Sequence, residues 1–194
     1  MGETAAEGEG CSRTLVMGIG NPLFGDDGVG SCLASALFEC HQGLNVEVRE
    51  TLGLWEMGTL NDWETVIFID AIGGDAKAGP RLLKIEPERL QEGEAREFLG
   101  SLDPHRASPI ALAVLSAAIG TSAKSWYLLG VPAKSLEPSR GLSLETLENA
   151  LRASQLLERL LKRLGCPISL DLRCVEEKLR KLCLDEKFRE EDAA

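Results

Sequence analysis

No segment of this sequence is long and apolar enough to span a membrane. Its opening MGETAAEGEG has neither the apolar core of a signal peptide nor the sixth-position Ser or Thr of a myristoylation signal. These absences argue against membrane insertion. Basic residues are also in deficit: 21 Lys and Arg face 31 Asp and Glu, and a net charge of -10 opposes binding to a polyphosphate backbone, so no nucleic-acid partner is expected. The six cysteines, at 11, 32, 40, 166, 174 and 183, form no C-x-x-C pair, which excludes the common structural zinc sites; free thiols in a reducing cytoplasm are the expectation. H-E-x-x-H and G-x-S-x-G are both missing, which removes the zincin and serine-hydrolase readings.

What is present is an alternation of strands and helices. A Glu-, Gly- and Ala-rich stretch, 1–13, offers too little apolar surface to offset its ordering entropy and reads as a flexible arm. From Thr14 the pattern gives a buried strand (14–20) and an amphipathic helix (29–41) on which Val29, Cys32, Leu33, Ala36, Leu37 and Cys40 share one face, making Cys32 and Cys40 core residues. A strand at 45–51 and a short helix at 54–62 follow. The run Val66 to Ile69 ends abruptly in Asp70 and a glycine pair, as a central parallel strand does where it meets its loop. A weaker strand at 81–87 suits an antiparallel edge. Ser108-Pro109 opens a small-residue helix (108–119), 125–132 is a further strand, and a long amphipathic helix (142–165) stops at Gly165. The expected fold is a single three-layer α-β-α domain over 14–165 around a mostly parallel twisted sheet, with a helical tail at 166–194 whose Leu172, Val175, Leu179 and Leu182 form a face that docks on the domain.

Ligands of such sheets lie beyond the carboxyl ends of the strands, where residues 20–30 and Asp70 fall. The stretch GIGNPLFGDDGVG (18–30) opens like a dinucleotide fingerprint, but Leu23 stands where its third glycine is needed. Asp26 and Asp27, at the start of the helix, would also repel a pyrophosphate. Glu50 at the end of the second strand remains available as a ribose-binding acid, so a dinucleotide-binding oxidoreductase stays open. One of the two aspartates suffices as a helix cap. The other is then left beside Asp70, and two neighbouring carboxylates raise each other's pKa unless a cation or proton is shared. Of the two histidines, His41 reads as a cation complementing a helix C-terminus. His105, in SLDPHRASP, stands evenly between metal ligand and surface residue. Asp27, Asp70 and His105 compose a candidate hydrolase site.

With these pieces in view, the chain resembles the hydrogenase maturation endopeptidases over residues 14–165. GIGNPLFGDDGVG matches the opening signature, IFIDAI the second acidic strand, His105 with the helix after it the histidine segment, and LLGVPAKSLEPSRGLS the late strand and loop. The resemblance implies a phosphorylase/hydrolase-like fold and removal of the C-terminal extension of a nickel-iron hydrogenase large-subunit precursor after nickel insertion. It implies that Asp27, Asp70 and His105 are both nickel-contacting and catalytic, and that the nickel is supplied by the precursor; Asp26 is then assigned to helix capping, and Asn21 and the glycines to shaping the loop. The protein is expected to work as a monomer in the cytoplasm. This sequence departs from the family's commoner pattern in having Pro104 before the histidine and in carrying the tail beyond Gly165. Substrate choice is expected in loop 86–107 and the tail, and a non-catalytic metal-sensing chaperone on the same fold is the other alternative.

Overall fold

The computed structural model describes residues 9–89, 107–121, 123–138 and 141–184. In chain order the elements are α1 (Glu9–Ser12), β1 (Thr14–Ile19), α2 (Val29–Cys40), β2 (Asn45–Arg49), α3 (Met57–Leu60), β3 (Thr65–Ile72), β4 (Arg81–Ile85), α4 (Pro109–Ile119), β5 (Ser125–Pro132), α5 (Leu144–Arg163) and α6 (Leu172–Cys183). The five strands form one sheet in the order β2-β1-β3-β5-β4. All neighbours are parallel except β4, which runs antiparallel to β5 at the edge.

Because successive side chains of a strand face opposite ways, the apolar runs of the central strands feed two cores. Val16, Ile67, Ile69, Leu129 and Val131 pack under α2, α5 and α6, while Leu15, Met17, Val66, Phe68 and Trp126 pack with Leu60, Leu112 and Ala113 on the other side. The three layers expected from the sequence are present. Ser108 caps α4 by accepting from the Ala111 N–H, and Ser143 caps α5 by accepting from the Thr146 N–H. Gly165 follows α5 with φ +79°.

Glycine in the opening motif serves helix–sheet packing. A Cβ on Gly30 would collide with the backbone oxygens of Ile19 and Ile69, and one on Gly18 with the Gly30 carbonyl, so their absence lets the start of α2 lie directly on β1 and β3.

Four expectations are corrected. First, all six cysteines are disulfide-bonded, as Cys11–Cys166, Cys32–Cys183 and Cys40–Cys174. Free thiols were inferred from local spacing, but the partners lie 134 to 155 residues apart and meet only because the tail folds back on α2. Cys32 is nonetheless buried, as its helical face required. Second, residues 9–12 belong to the fold, since Cys11 is anchored to Cys166 and the Asn45 side chain donates to the Cys11 carbonyl. Third, the tail docks through Val175, Leu179 and Cys183, whereas Leu182 is exposed, because the face turns toward α2 one residue beyond it. Fourth, His41 is a neutral acceptor: its Nε2 takes a hydrogen bond from the Asp171 N–H, and burial lowers its pKa against the opposing pull of Asp171 and Glu158.

Candidate active site

The carboxyl ends of β1 and β3, the turn before α2, the segment after β2 and the start of α4 surround a cavity of about 560 Å³. Asp27 and Asp70 both line it, together with Glu50, Thr51 and the wall Ala107-Ser108-Pro109. Phe24 and Leu136 add exposed apolar side chains to it, and Leu23 is exposed beside Phe24.

Asp70 reaches this edge because β3 continues past the end of β1; its partner in the register is Gly130 of β5, which leaves the β1 side open. Its Oδ1 accepts from the Ala71 N–H at 2.8 Å. Burial pushes the Asp70 carboxyl up to about 7; the Ala71 hydrogen bond opposes this and the charge of Asp27 adds to it. Near neutral pH, Asp70 therefore shares its population between acid and carboxylate. Asp27 sits in the short 3₁₀ turn Gly25–Gly28, where its Oδ2 accepts from the Asn21 N–H at 2.8 Å. Asn21 in turn takes the Leu23 N–H on Oδ1, so loop residue and acid brace one another.

Asp26 faces the other way, and its assignment as a cap of α2 is corrected. No side-chain cap bond is made at the start of this turn or of α2. The Asp26 carboxylate, 1% exposed, instead accepts from the Lys134, Ser135 and Ser143 N–H groups and from the Ser143 hydroxyl, at 2.7 to 3.0 Å. Its own N–H donates to the Ser135 carbonyl. Asp26 thus ties the acidic turn to the loop between β5 and α5, which carries the pocket residue Leu136. Sequence reasoning missed this tie, although both partners lie in the quoted segments GDDG and AKSLEPSRGLS. Nothing in local spacing announces a hydrogen bond across more than 100 residues.

The structure therefore brings Asp27 and Asp70 together. His105 lies outside the described residues; in sequence it stands two positions ahead of the pocket wall at Ala107. Glu50 does line the pocket, but in company with Asp27 and Asp70 it makes a strongly anionic cavity, which disfavours a pyrophosphate. Among the described residues no three His, Cys, Asp or Glu side chains converge to hold a metal ion. The two carboxylates would thus need donors from elsewhere to complete a coordination sphere.

No protein-family model matches the chain, and no curated protein matches it. Solved structures do. The hydrogenase maturating endopeptidase HybD from E. coli is 24% identical, with a TM-score of 0.60 over 79% of this chain and 94% of that one. A hydrogenase 2 maturation peptidase from a Thaumarchaeota archaeon is 25% identical, with a TM-score of 0.56 over 77% of this chain and 98% of that one. The [NiFe] hydrogenase maturation protease HybD from Thermococcus kodakarensis is 25% identical, with a TM-score of 0.54 over 77% of this chain and 99% of that one. The chain has the fold of the hydrogenase maturation endopeptidases, the family that its sequence resembles.

Proposed function

We propose that this protein is a processing endopeptidase that removes the C-terminal extension of a nickel-iron hydrogenase large-subunit precursor after nickel insertion. It acts as a monomer and reads the nickel already seated in its substrate. The observation that carries the proposal is the pairing of Asp27 with Asp70 in one pocket at the strand ends, where burial brings Asp70 to about 7. The known hydrogenase maturation proteases of this fold supply the reaction class.

The donor set suits a substrate-borne cation. Asp27 and Asp70, with His105 as the third ligand, offer oxygen and imidazole, while every cysteine is consumed in a disulfide and supplies no thiolate to extract nickel. The substrate's nickel, once engaged, can polarise the scissile carbonyl or activate a water molecule. Asp70 has a proton role of its own: Oδ1 is engaged by the Ala71 N–H, so Oδ2 holds the proton and releases it when a positive charge approaches. Asn21 keeps Asp27 in place. Phe24 and Leu136 give an extended peptide an apolar surface to lie against, and so position its scissile bond.

The test is incubation with nickel-loaded and nickel-free large-subunit precursor, followed by intact-mass analysis. The expected result is a product shortened at its C-terminus only with nickel present, and none with Asp27→Asn or Asp70→Asn. Equal cleavage of both precursors would overturn the nickel reading. Tight binding of the precursor with no cleavage would leave a non-catalytic binder.

A further inference from the structure

The three disulfides share one pattern. Each joins an N-terminal cysteine (11, 32 or 40) to a cysteine of the tail (166, 174 or 183), and none closes a local loop. Cys32 and Cys40 lie eight residues apart on α2, and their partners Cys183 and Cys174 nine apart on α6. The crossed pairing clamps two antiparallel helices at points about 12–14 Å apart. Cys11–Cys166 fastens the root of the tail. The Lys178–Glu39 ion pair and the His41–Asp171 hydrogen bond lie on the same α2–α6 seam. About a fifth of this chain falls outside each match to the hydrogenase maturation proteases described above.

The tail also reaches the acidic turn. Three successive backbone amides divide between the two: Gly141 N–H donates to the Pro22 carbonyl at 3.4 Å, Leu142 N–H to the Cys183 carbonyl at 2.6 Å, and Ser143 N–H to Asp26 Oδ1 at 2.7 Å. The last residue of α6 is thus one hydrogen-bonded segment away from the turn that carries Asp27. The three bridges differ in exposure: Cys32 and Cys183 are both buried, half-buried Cys11 is joined to fully buried Cys166, and only in Cys40–Cys174 are both cysteines half-buried.

We propose that Cys40–Cys174 is a thiol–disulfide exchange site for a protein dithiol, and that the disulfide-fastened tail is a clasp whose redox state is transmitted to the acidic turn through Leu142–Ser143. In the exchange, a thiolate of the dithiol attacks one sulfur of Cys40–Cys174, forming a mixed disulfide and releasing the other cysteine as a thiol. The dithiol's second thiol then attacks the mixed disulfide and releases the second cysteine. Two electrons and two protons pass to the protein, and the dithiol leaves as a disulfide. With this end unfastened, α6 is held at the α2 seam by the Cys32–Cys183 bridge at its far end, by Val175 and Leu179, the ion pair and the His41 contact. Its local opening then becomes easier than in the oxidised form.

The test uses the full-length oxidised protein, reduced thioredoxin as the dithiol, and alkylation with peptide mapping over time. The expected order has Cys40 and Cys174 labelled first and Cys32 and Cys183 last. Amide hydrogen exchange, read in parallel, is expected to show about a tenfold loss of protection in the first turns of α6 once Cys40 and Cys174 are labelled, and at Leu142 and Ser143 once Cys32–Cys183 is also reduced, while β3 stays protected. The double variant Cys40→Ser/Cys174→Ser should show the loss in the first turns of α6 without any reductant. Labelling that begins at Cys32–Cys183 or Cys11–Cys166, or only as the whole chain unfolds, overturns the exchange site. Unchanged protection at Leu142 and Ser143 with all three bridges reduced overturns the transmission to the acidic turn. Neither readout depends on cleavage of a precursor, so the clasp and the proposed function fail separately.

Discussion

Replacing Asp70 by Asn should stabilise the protein, and by an amount that depends on pH. The isosteric amide preserves an acceptor for the Ala71 N–H while removing the charge that burial and Asp27 oppose. The rise of the folded-state pKa from 3.8 to about 7, at about 1.36 kcal/mol per pH unit, corresponds to about 4 kcal/mol. Asp70 is half-buried, and the water that still reaches it screens part of this, leaving about 2–4 kcal/mol. The sign follows from linkage: between pH 4 and 7 the folded protein binds the proton more tightly than the unfolded chain, so the stability associated with protonated Asp70 is full below about pH 4 and is lost as pH rises through about 7. Thermal unfolding of wild type and Asp70→Asn, with disulfides intact and a chelator present, should therefore give nearly equal midpoints at pH 4. The variant should lead by about 6–12 °C at pH 8, for a chain of this size. Contributions from titrating groups that do not interact with Asp70 cancel in the difference. A gap that does not change with pH, or a variant less stable at pH 8, would refute the account of Asp70 as a carboxyl held neutral by its surroundings.

Asp26→Ala should cost about 3–5 kcal/mol in urea unfolding, because it strands the Lys134, Ser135 and Ser143 N–H groups. Asp27→Ala, which gives up one hydrogen bond from Asn21, should cost about 1 kcal/mol. Equal costs would show that the two aspartates are not divided between structure and site. NMR titration of His41 should give a midpoint below 6.5, and protonation should break its bond to the Asp171 N–H, so the stability this contact lends above pH 6.5 is lost as pH falls through that lowered midpoint. A midpoint above 6.5 would restore the cationic reading. Gly30→Ala should destabilise by about 1–3 kcal/mol, checked by the denaturation midpoint, because α2 must lift from the Ile19 and Ile69 carbonyls. A neutral result would mean that the helix start tolerates displacement.

Much of the fold was readable because its signals are local. The apolar runs at 14–19 and 65–72 could be placed as buried strands from their own composition. Ser108, Pro109, Ser143 and Gly165 marked helix ends by chemistry that acts within a few residues. The antiparallel edge strand β4 followed from the Gly79-Pro80 break and a weaker apolar pattern. Asp27 and Asp70 could be paired in advance for a topological reason: in a parallel sheet every strand delivers its last residues to the same edge.

The sequence by itself determined the layer architecture and the edge at which the acidic residues collect, because periodicity, caps and turns are properties of short segments. Only the tertiary structure decided which of two adjacent aspartates faces the pocket. Asp26 is claimed by donors at 134, 135 and 143, contacts that exist only once β5 and α5 are in place. It also decided the state of the cysteines, since partners 134 or more residues apart are brought together by the docking of the tail rather than by any spacing along the chain. The Asp70 carboxyl could be recognised as a candidate acid from its place at a strand end. The protonation behaviour that makes it useful came from burial, which belongs to the packed molecule.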